Sequence, residues 1–279
     1  MIRILVDSSA DFTAEDLKKY GVTLVPISVS LGGQDYLDGI NLTKDEFYKI
    51  LTAGSDFPKT AQPSPNDFLE IFEDAKQSHD DVIYLALSSA LSGTYQSATI
   101  AKEMAEYDRI YLIDTKSATA AIFLAAKYAT QLAESGKAAD EIAEILTTLC
   151  PRIKIAAGID TLEFLHRGGR LSRASAAVGQ LANIKPLITV SAAGTVELRG
   201  KALGSARGLQ TLFSRFKCEE IDPEFPIYSV YTLGTENCEK LERLLTDDGY
   251  TVAERRQVGP SIGAHIGPGA YGIIYVTAK

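Results

Sequence analysis

The sequence predicts an α/β protein of two domains, residues 1–150 with a parallel sheet carrying helices on both faces and residues 151–279 with a mixed sheet and helices. Three observations predict it. Over the first half, short aliphatic and β-branched runs alternate with helix-period patterns, as in a parallel sheet covered on both faces. After Pro151 the runs come in hairpin-like pairs mixed with helices. No long linker, low-complexity tract or internal repeat separates the halves, so they should pack closely across a cleft.

In order along the chain, Ile2–Val6, Val22–Ser30, Val82–Leu87 and Ile110–Ile113 read as strands, each bounded by Asp, Ser or Gly. Thr43 with Glu46 is spaced as a capping box, and Ser64, Pro65 and Asp67 supply an N-cap, a first-turn proline and a first-turn acid. SATAAIFLAAKYATQLAESG, from Ser117 to a terminating Gly136, reads as a helix; its apolar residues at 117–126 suit helix core, and would also suit the wall of an apolar tunnel. The second half opens with IKIAAGI, then a helix-like LEFL, a Gly/Arg stretch, PLITV and TVELRG around a turn at Gly194, and helices near 203–217 and 235–247.

With 279 residues, 46% hydrophobic and 23% charged, the chain can bury an ordinary globular core. No apolar run reaches the ~18 residues of a membrane span, and MIRILVDSSADF lacks a basic leader, so a cytoplasmic protein without a stable membrane anchor is expected. Cys150, Cys218 and Cys238 are odd in number and widely spaced, which suits packing residues and neither disulfides nor zinc. The net charge of −8 disfavours nucleic acid and anionic lipid as partners, but it is uneven. Phe164–Cys218 holds nine Lys or Arg against one acid, Glu197, a local +8 that leaves −16 on the remainder. That segment meets something anionic, lies beside it, or is simply a solvated face.

Four stretches could carry chemistry. LSGTYQSA follows a strand and enters a helix, so Ser92, Gly93 and Thr94 offer free N–H groups, a helix dipole and hydroxyls to an anion; a plain helix cap is the alternative. KTAQPSP also precedes a capped helix, with the Thr60 hydroxyl and the amides of Ala61 and Gln62 ahead of Pro63. HRGGRLSRAS places Arg167, Arg170 and Arg173 around Gly168 and Gly169, with forks suited to carboxylate or phosphate and no acid nearby in the segment. No Walker A loop is present. GPSIGAHIGPGAYGIIYV contains a formal G-x-G-x-x-G at Gly267–Gly272, but IIYV is strand-like where a dinucleotide site needs a helix. His265, among glycines, can lie against a ligand or serve structure.

Together these stretches resemble the DegV family, which includes the fatty-acid-binding subunits of bacterial fatty acid kinase. The resemblance runs through VDSSADF, LDGINLTKDEFY, KTAQPSP, LSGTYQSA, DTLEFLHRGGRLS, NIKPLI and GAHIGPGAYG. It departs at Ala61, where the family usually reads T-S-Q-P and carries a second hydroxyl. It implies a long-chain fatty acid between the two domains, with its carboxylate at Thr60, Ala61, Ser92, Gly93 and His265. It also implies a separate ATP-binding kinase subunit that phosphorylates this carboxylate to an acyl phosphate for phospholipid synthesis. The chain would then be a non-catalytic carrier with no cofactor and no metal, Arg167, Arg170 and Arg173 docking the kinase. Two other readings remain: a DNA-binding regulator using the basic 164–218 segment, although no helix-turn-helix is evident, and an acyl hydrolase using Ser92 with His265, although the G-x-S-x-G elbow is missing.

Overall fold

The structure, a computed structural model, describes residues 1–54, 56–171 and 183–278. In the first half, β1 (Ile2–Asp7) passes through a 3-10 turn at Ser8–Ala10 to α1 (Ala14–Tyr20), β2 (Val22–Val25), β3 (Ser28–Leu31) and β4 (Gln34–Leu37). Then come α2 (Lys44–Ala53), β5 (Lys59–Ala61), α3 (Pro65–Ser78), β6 (Asp81–Ala86), α4 (Thr94–Ala105), β7 (Ile110–Asp114), α5 (Ala120–Glu134) and α6 (Ala139–Leu149). The second half supplies β8 (Ile153–Gly158), α7 (Glu163–Arg167), β9 (Ile184–Val190), β10 (Val196–Leu203), α8 (Gly204–Phe216) and β11 (Ile227–Tyr231). It ends with α9 (Glu236–Asp247), β12 (Val252–Gln257), α10 (Pro260–Ile266) and β13 (Tyr271–Val276).

Strands β2-β1-β6-β7 form an all-parallel sheet. Its two faces are covered separately, one by α3 and α4 through Phe68, Phe72, Ala98 and Ala101, the other by α5 and α6 through Phe123, Ile142 and Leu146. The second sheet, β10-β9-β8-β13-β11-β12, is mixed, with β11 and β12 parallel and the other pairs antiparallel. The C-terminal strand β13 lies inside this sheet, between β8 and β11. Helix α5 is buried around its first two turns because it is shared: β1 packs on one side through Ile4 and Val6, and Ile155, Val230 and Ile274 of the second sheet pack on the other. No helix among the described residues is long and apolar enough to cross a membrane.

Local expectations hold where side chains close their own hydrogen bonds. Thr43–Glu46 and Ser64–Asp67 are reciprocal capping boxes, and Thr13–Asp16 forms a third. Two expectations need correction. The run Val22–Ser30 is two strands in different sheets, because Pro26 has no N–H for a ladder and the Ile27 amide donates to Ser8 Oγ at 3.0 Å. Strands β4-β3-β5 make a small antiparallel sheet that brings residues 59–61 to the cleft. The helix expected from Ser117 starts at Ala120, since Thr119 takes φ 53° and ψ −143°.

Helix α10 is seated on α2 by a missing side chain. A Cβ at Gly263 would lie 2.5 Å from the Tyr48 hydroxyl oxygen and 2.9 Å from the Phe47 ring. Gly263→Ala should therefore cost about 1–3 kcal/mol, seen as a lower urea midpoint with an unchanged m-value.

Candidate functional site

A cavity of about 380 Å³ lies between the halves, lined from the first by Ile27, Leu87 and Ala118 and from the second by Ile155, Ile188 and Val230. Its wall is mainly aliphatic, and no Asp or Glu lines it among the described residues. Of the tunnel residues anticipated at 117–126, Ala118 and Thr119 reach the cavity, whereas Ala120–Ala126 are helix core.

The polar groups of the wall come from the loops that the sequence singled out. Thr60, at the centre of β5, has its Oγ1 2.9 Å from His265 Nε2. Ser92 lies on the loop between β6 and α4, its Oγ 2.8 Å from Thr94 Oγ1. Gly93, the N-cap of α4, has no side chain to cap it, and Ser92 Oγ takes the Thr94 amide at 3.3 Å, a weak bond at the positive end of the helix dipole. Gln62 crosses Gly93, where a Cβ would come within 2.0 Å of its Oε1, and donates to Ser97 Oγ at 3.0 Å. Ala61 and Gln62 are exposed, while Thr60, Ser92 and Gly93 are half-buried, so this polar cluster stands where the cavity meets solvent.

His265 is held by the two glycines of HRGGR for two reasons. A Cβ at Gly168 would sit 2.3 Å from Nδ1, so the ring lies directly against that backbone, while Gly169 adopts φ +70° to turn the chain. Nδ1 is buried without a hydrogen-bond partner. Burial, and then the Arg170 charge, push the imidazole pKa down to about 4, so the ring is neutral at pH 7. With its proton on Nε2 it donates to Thr60 Oγ1 and leaves the threonine hydroxyl free to donate to a ligand. Ser92 and His265 are each bonded to a threonine and not to one another, and no carboxylate orients Nδ1, so this is not a nucleophile–base arrangement.

The arginines part company. Arg167 is not free of acids: it pairs with Glu163 at 2.7 Å, one residue outside the segment that looked acid-free, and lies 3.9 Å above the Phe57 ring. Arg170 is no surface residue. It lines the cavity, donating from Nε to the Leu91 carbonyl at 2.9 Å and from Nη1 to the Gly168 carbonyl at 2.7 Å, and burial lowers its pKa. Arg173 lies outside the described residues. Lys185 and Lys217 likewise pair with acids beyond the segment, Asp160 and Asp248. Among the cysteines, Cys150 and Cys238 are buried as packing residues, but Cys218 is exposed, its thiol donating to the Ser214 carbonyl.

Three buried acids that the composition gave no reason to notice stand behind this site. Asp7 accepts from the Leu87 amide and the Tyr84 hydroxyl, each at 2.8 Å, and joins the ends of β1 and β6. Asp11 accepts from the Gly259 amide at 2.7 Å and from Thr119 Oγ1. Asp38 accepts from the amide of Ser261 at 3.0 Å and from its hydroxyl. Burial raises all three pKa values, that of Asp38 to about 7 with the Asp11 charge adding to the effect.

A family model described as "Uncharacterised protein, DegV family" matches residues 1–278. The chain belongs to the DegV family. A DegV domain-containing protein of Caldanaerobacter subterraneus subsp. tengcongensis is 35% identical over 276 residues, 98% of each chain. A solved DegV-family structure from Thermus thermophilus, described as fatty acid binding, is 31% identical with a TM-score of 0.89 over 99% of each chain. A stearic-acid-binding protein from Eubacterium ventriosum is 25% identical with a TM-score of 0.87, covering 99% of this chain and 98% of its own. The DegV stretches KTAQPSP, LSGTYQSA, HRGGR and GAHIG therefore converge on one cavity mouth.

Two buried groups give stability opposite pH dependences. The folded His265 pKa, about 4, lies below the ordinary 6.5, so its contribution is present above 6.5 and falls with pH, by about 2 kcal/mol near pH 5. The raised Asp38 pKa works the other way, its contribution falling as pH rises through about 7. The two windows overlap and offset one another between pH 5 and 6.5, so in urea unfolding from pH 5 to 8 Asp38→Asn should leave stability rising with pH up to about 6.5, and His265→Asn should leave it falling with pH up to about 7.

Proposed function

We propose that the protein binds a long-chain fatty acid, tail in the cavity and carboxylate at the mouth, and presents that carboxylate to a separate ATP-dependent kinase subunit. One observation carries this reading: an aliphatic cavity, without acids among the described residues, opens on a cluster of hydroxyls, an imidazole, a guanidinium and a helix start. The volume falls in the range of small-molecule sites, roughly 300–1,000 Å³. The Thermus and Eubacterium proteins, alike in fold and sequence, are described as fatty-acid binders. In this reading residues 1–150 and 151–279 are two domains that wall the ligand on either side.

Tail burial dominates affinity. At roughly 0.8 kcal/mol per methylene, about fourteen methylenes supply ~11 kcal/mol before association and ordering costs. The head group then sets orientation. Thr60 and Ser92 donate O–H bonds, the amides of Ala61 and Gly93 donate N–H bonds, and Arg170 adds charge from the wall. His265 fixes the Thr60 hydroxyl. An amide stands in for the hydroxyl that Ala61 lacks. Exposure at Ala61 and Gln62 leaves one carboxylate oxygen within reach of a γ-phosphate on the partner, and the product is an acyl phosphate for phospholipid synthesis. The chain itself supplies no catalysis or cofactor and acts in the cytoplasm. Arg167, exposed beside Phe57, meets the partner.

Organic extraction of denatured protein followed by mass spectrometry should recover a long-chain acid; protein that carries none and takes none up would refute the reading, and DNA retardation or ester turnover lost in Ser92→Ala would replace it. Ser92→Ala and Thr60→Ala should each weaken fatty-acid binding by about 1–3 kcal/mol, and unchanged affinity in both would move the head group elsewhere. Arg167→Ala should lower kinase-dependent acyl-phosphate yield at moderate salt while retaining the acid, whereas Arg170→Ala should lower both.

A further inference from the structure

Two hydroxyls of the cavity wall stand apart from the mouth, those of Thr119 and Ser261, and each is committed to a buried carboxylate. Thr119 donates to Asp11, which also takes the Gly259 amide; Ser261 donates both its amide and its hydroxyl to Asp38. Gly259 and Ser261 flank the start of α10, and His265 lies near the other end of that helix. Ser261 Oγ is also 2.9 Å from Ser8 Oγ, which accepts from the amide of Ile27, itself a wall residue. Three wall segments from separate parts of the chain are thus tied to one buried polar cluster.

Three features say that this cluster sets geometry. Asp11 and Asp38 are 2% and 4% exposed, and neither lines the cavity. No cation bonds to either carboxylate among the described residues: Lys44 donates to the carbonyls of Asp11 and Gln257, and Arg256 to the Asp11 carbonyl, Asp16 and Glu254. Buried carboxylates are costly, and although the charges of Lys44 and Arg256 act on Asp11, and that of Lys44 on Asp38, the direct bonds of both carboxylates go to amides and hydroxyls whose positions matter. Thr119, finally, holds φ 53° and ψ −143°, a conformation that a β-branched residue keeps only where its surroundings impose it, and its hydroxyl is fastened to Asp11.

We propose that Asp11 and Asp38 are positioning residues for this cavity, which from behind its wall fix the place of His265, through the first turn of α10, and of Thr119. The proposal deepens the fatty-acid reading and rests on it for the ligand, but it also makes a claim about the ligand-free protein.

The test uses the full chain, with palmitate as probe and the Cε1–H ring resonance of His265 as reporter. Asp38→Ala should shift and broaden that resonance in ligand-free protein and weaken palmitate binding at least about 10-fold; Asp38→Asn, which keeps an acceptor for Ser261, should restore both to within about 3-fold. Asp11→Ala and Asp11→Asn should follow the same pattern, loss with alanine and recovery with asparagine. An unmoved resonance with unchanged affinity in the alanine variants, or equal loss in the asparagine and alanine variants, overturns the proposal. If the alanine variants do not fold, Ser261→Ala and Thr119→Val carry the same expectation, and both must move the resonance or weaken palmitate for the proposal to stand. Wild-type protein that takes up no palmitate would defeat the fatty-acid reading alone, since the ring resonance still decides the positioning role.

Discussion

A carboxylate removed from water must be given donors or a proton, and this requirement at Asp11 and Asp38 organises the molecule around its cavity. Both acids sit where loops from the parallel sheet, the small sheet and the second sheet meet. The donors they find are amides at the start of α10 and hydroxyls in the cavity wall. One solvation problem thereby fixes the helix that carries His265, and with it the Thr60 contact at the mouth. Arg256, 4% exposed and lying 3.5 Å over the Phe123 ring, joins β12 to α1 through Asp16 and reinforces the same junction.

That junction explains how a wide cavity and a well-defined mouth coexist. The cavity wall is mainly aliphatic, and the Thr119 and Ser261 hydroxyls are turned away into the acid cluster. The mouth combines polarity with an absence of acids among the described residues, drawing on a helix start, threonine, serine, a neutral imidazole and one half-buried guanidinium. Glycine makes the convergence possible: Gly168 admits the His265 ring and Gly93 admits Gln62, so groups from four loops approach more closely than side-chained backbone would allow.

The sequence was most legible where the deciding interactions are local. Alternating runs gave the parallel sheet, and Thr43, Ser64 and Gly136 marked helix ends, because caps and left-handed turns are closed by neighbouring residues. The break at Pro26 was readable in principle, a proline inside a nine-residue apolar run, yet which sheet each piece would join depends on contacts distant in sequence. The site was half legible. Thr60, Ser92 and His265 stood out as polar residues among glycines and helix starts, whereas Asp11 and Asp38 lie within VDSSADF and LDGINLTKDEFY with nothing local to mark them, since burial is a property of the assembled fold. Counting charge along the chain misled for Arg167, whose partner Glu163 precedes the counted window, and could not foresee that Arg170 turns inward.

The placement of charge also bears on why the mouth is built as it is. A fully exposed cluster of arginines would hold a carboxylate by attraction that salt screens, and would hold any other anion as well. Here the one arginine in the wall is half-buried and bonded to carbonyl oxygens, so its charge acts at short range in a less polar setting, while Arg167 remains outside on Phe57. In the proposed reading, hydroxyls and amides, directional but weak, would decide where a head group sits, and the aliphatic wall whether it stays. Retention and orientation would then be separate, so that a bound acid could keep its tail buried while its carboxylate stayed open to chemistry performed by another protein.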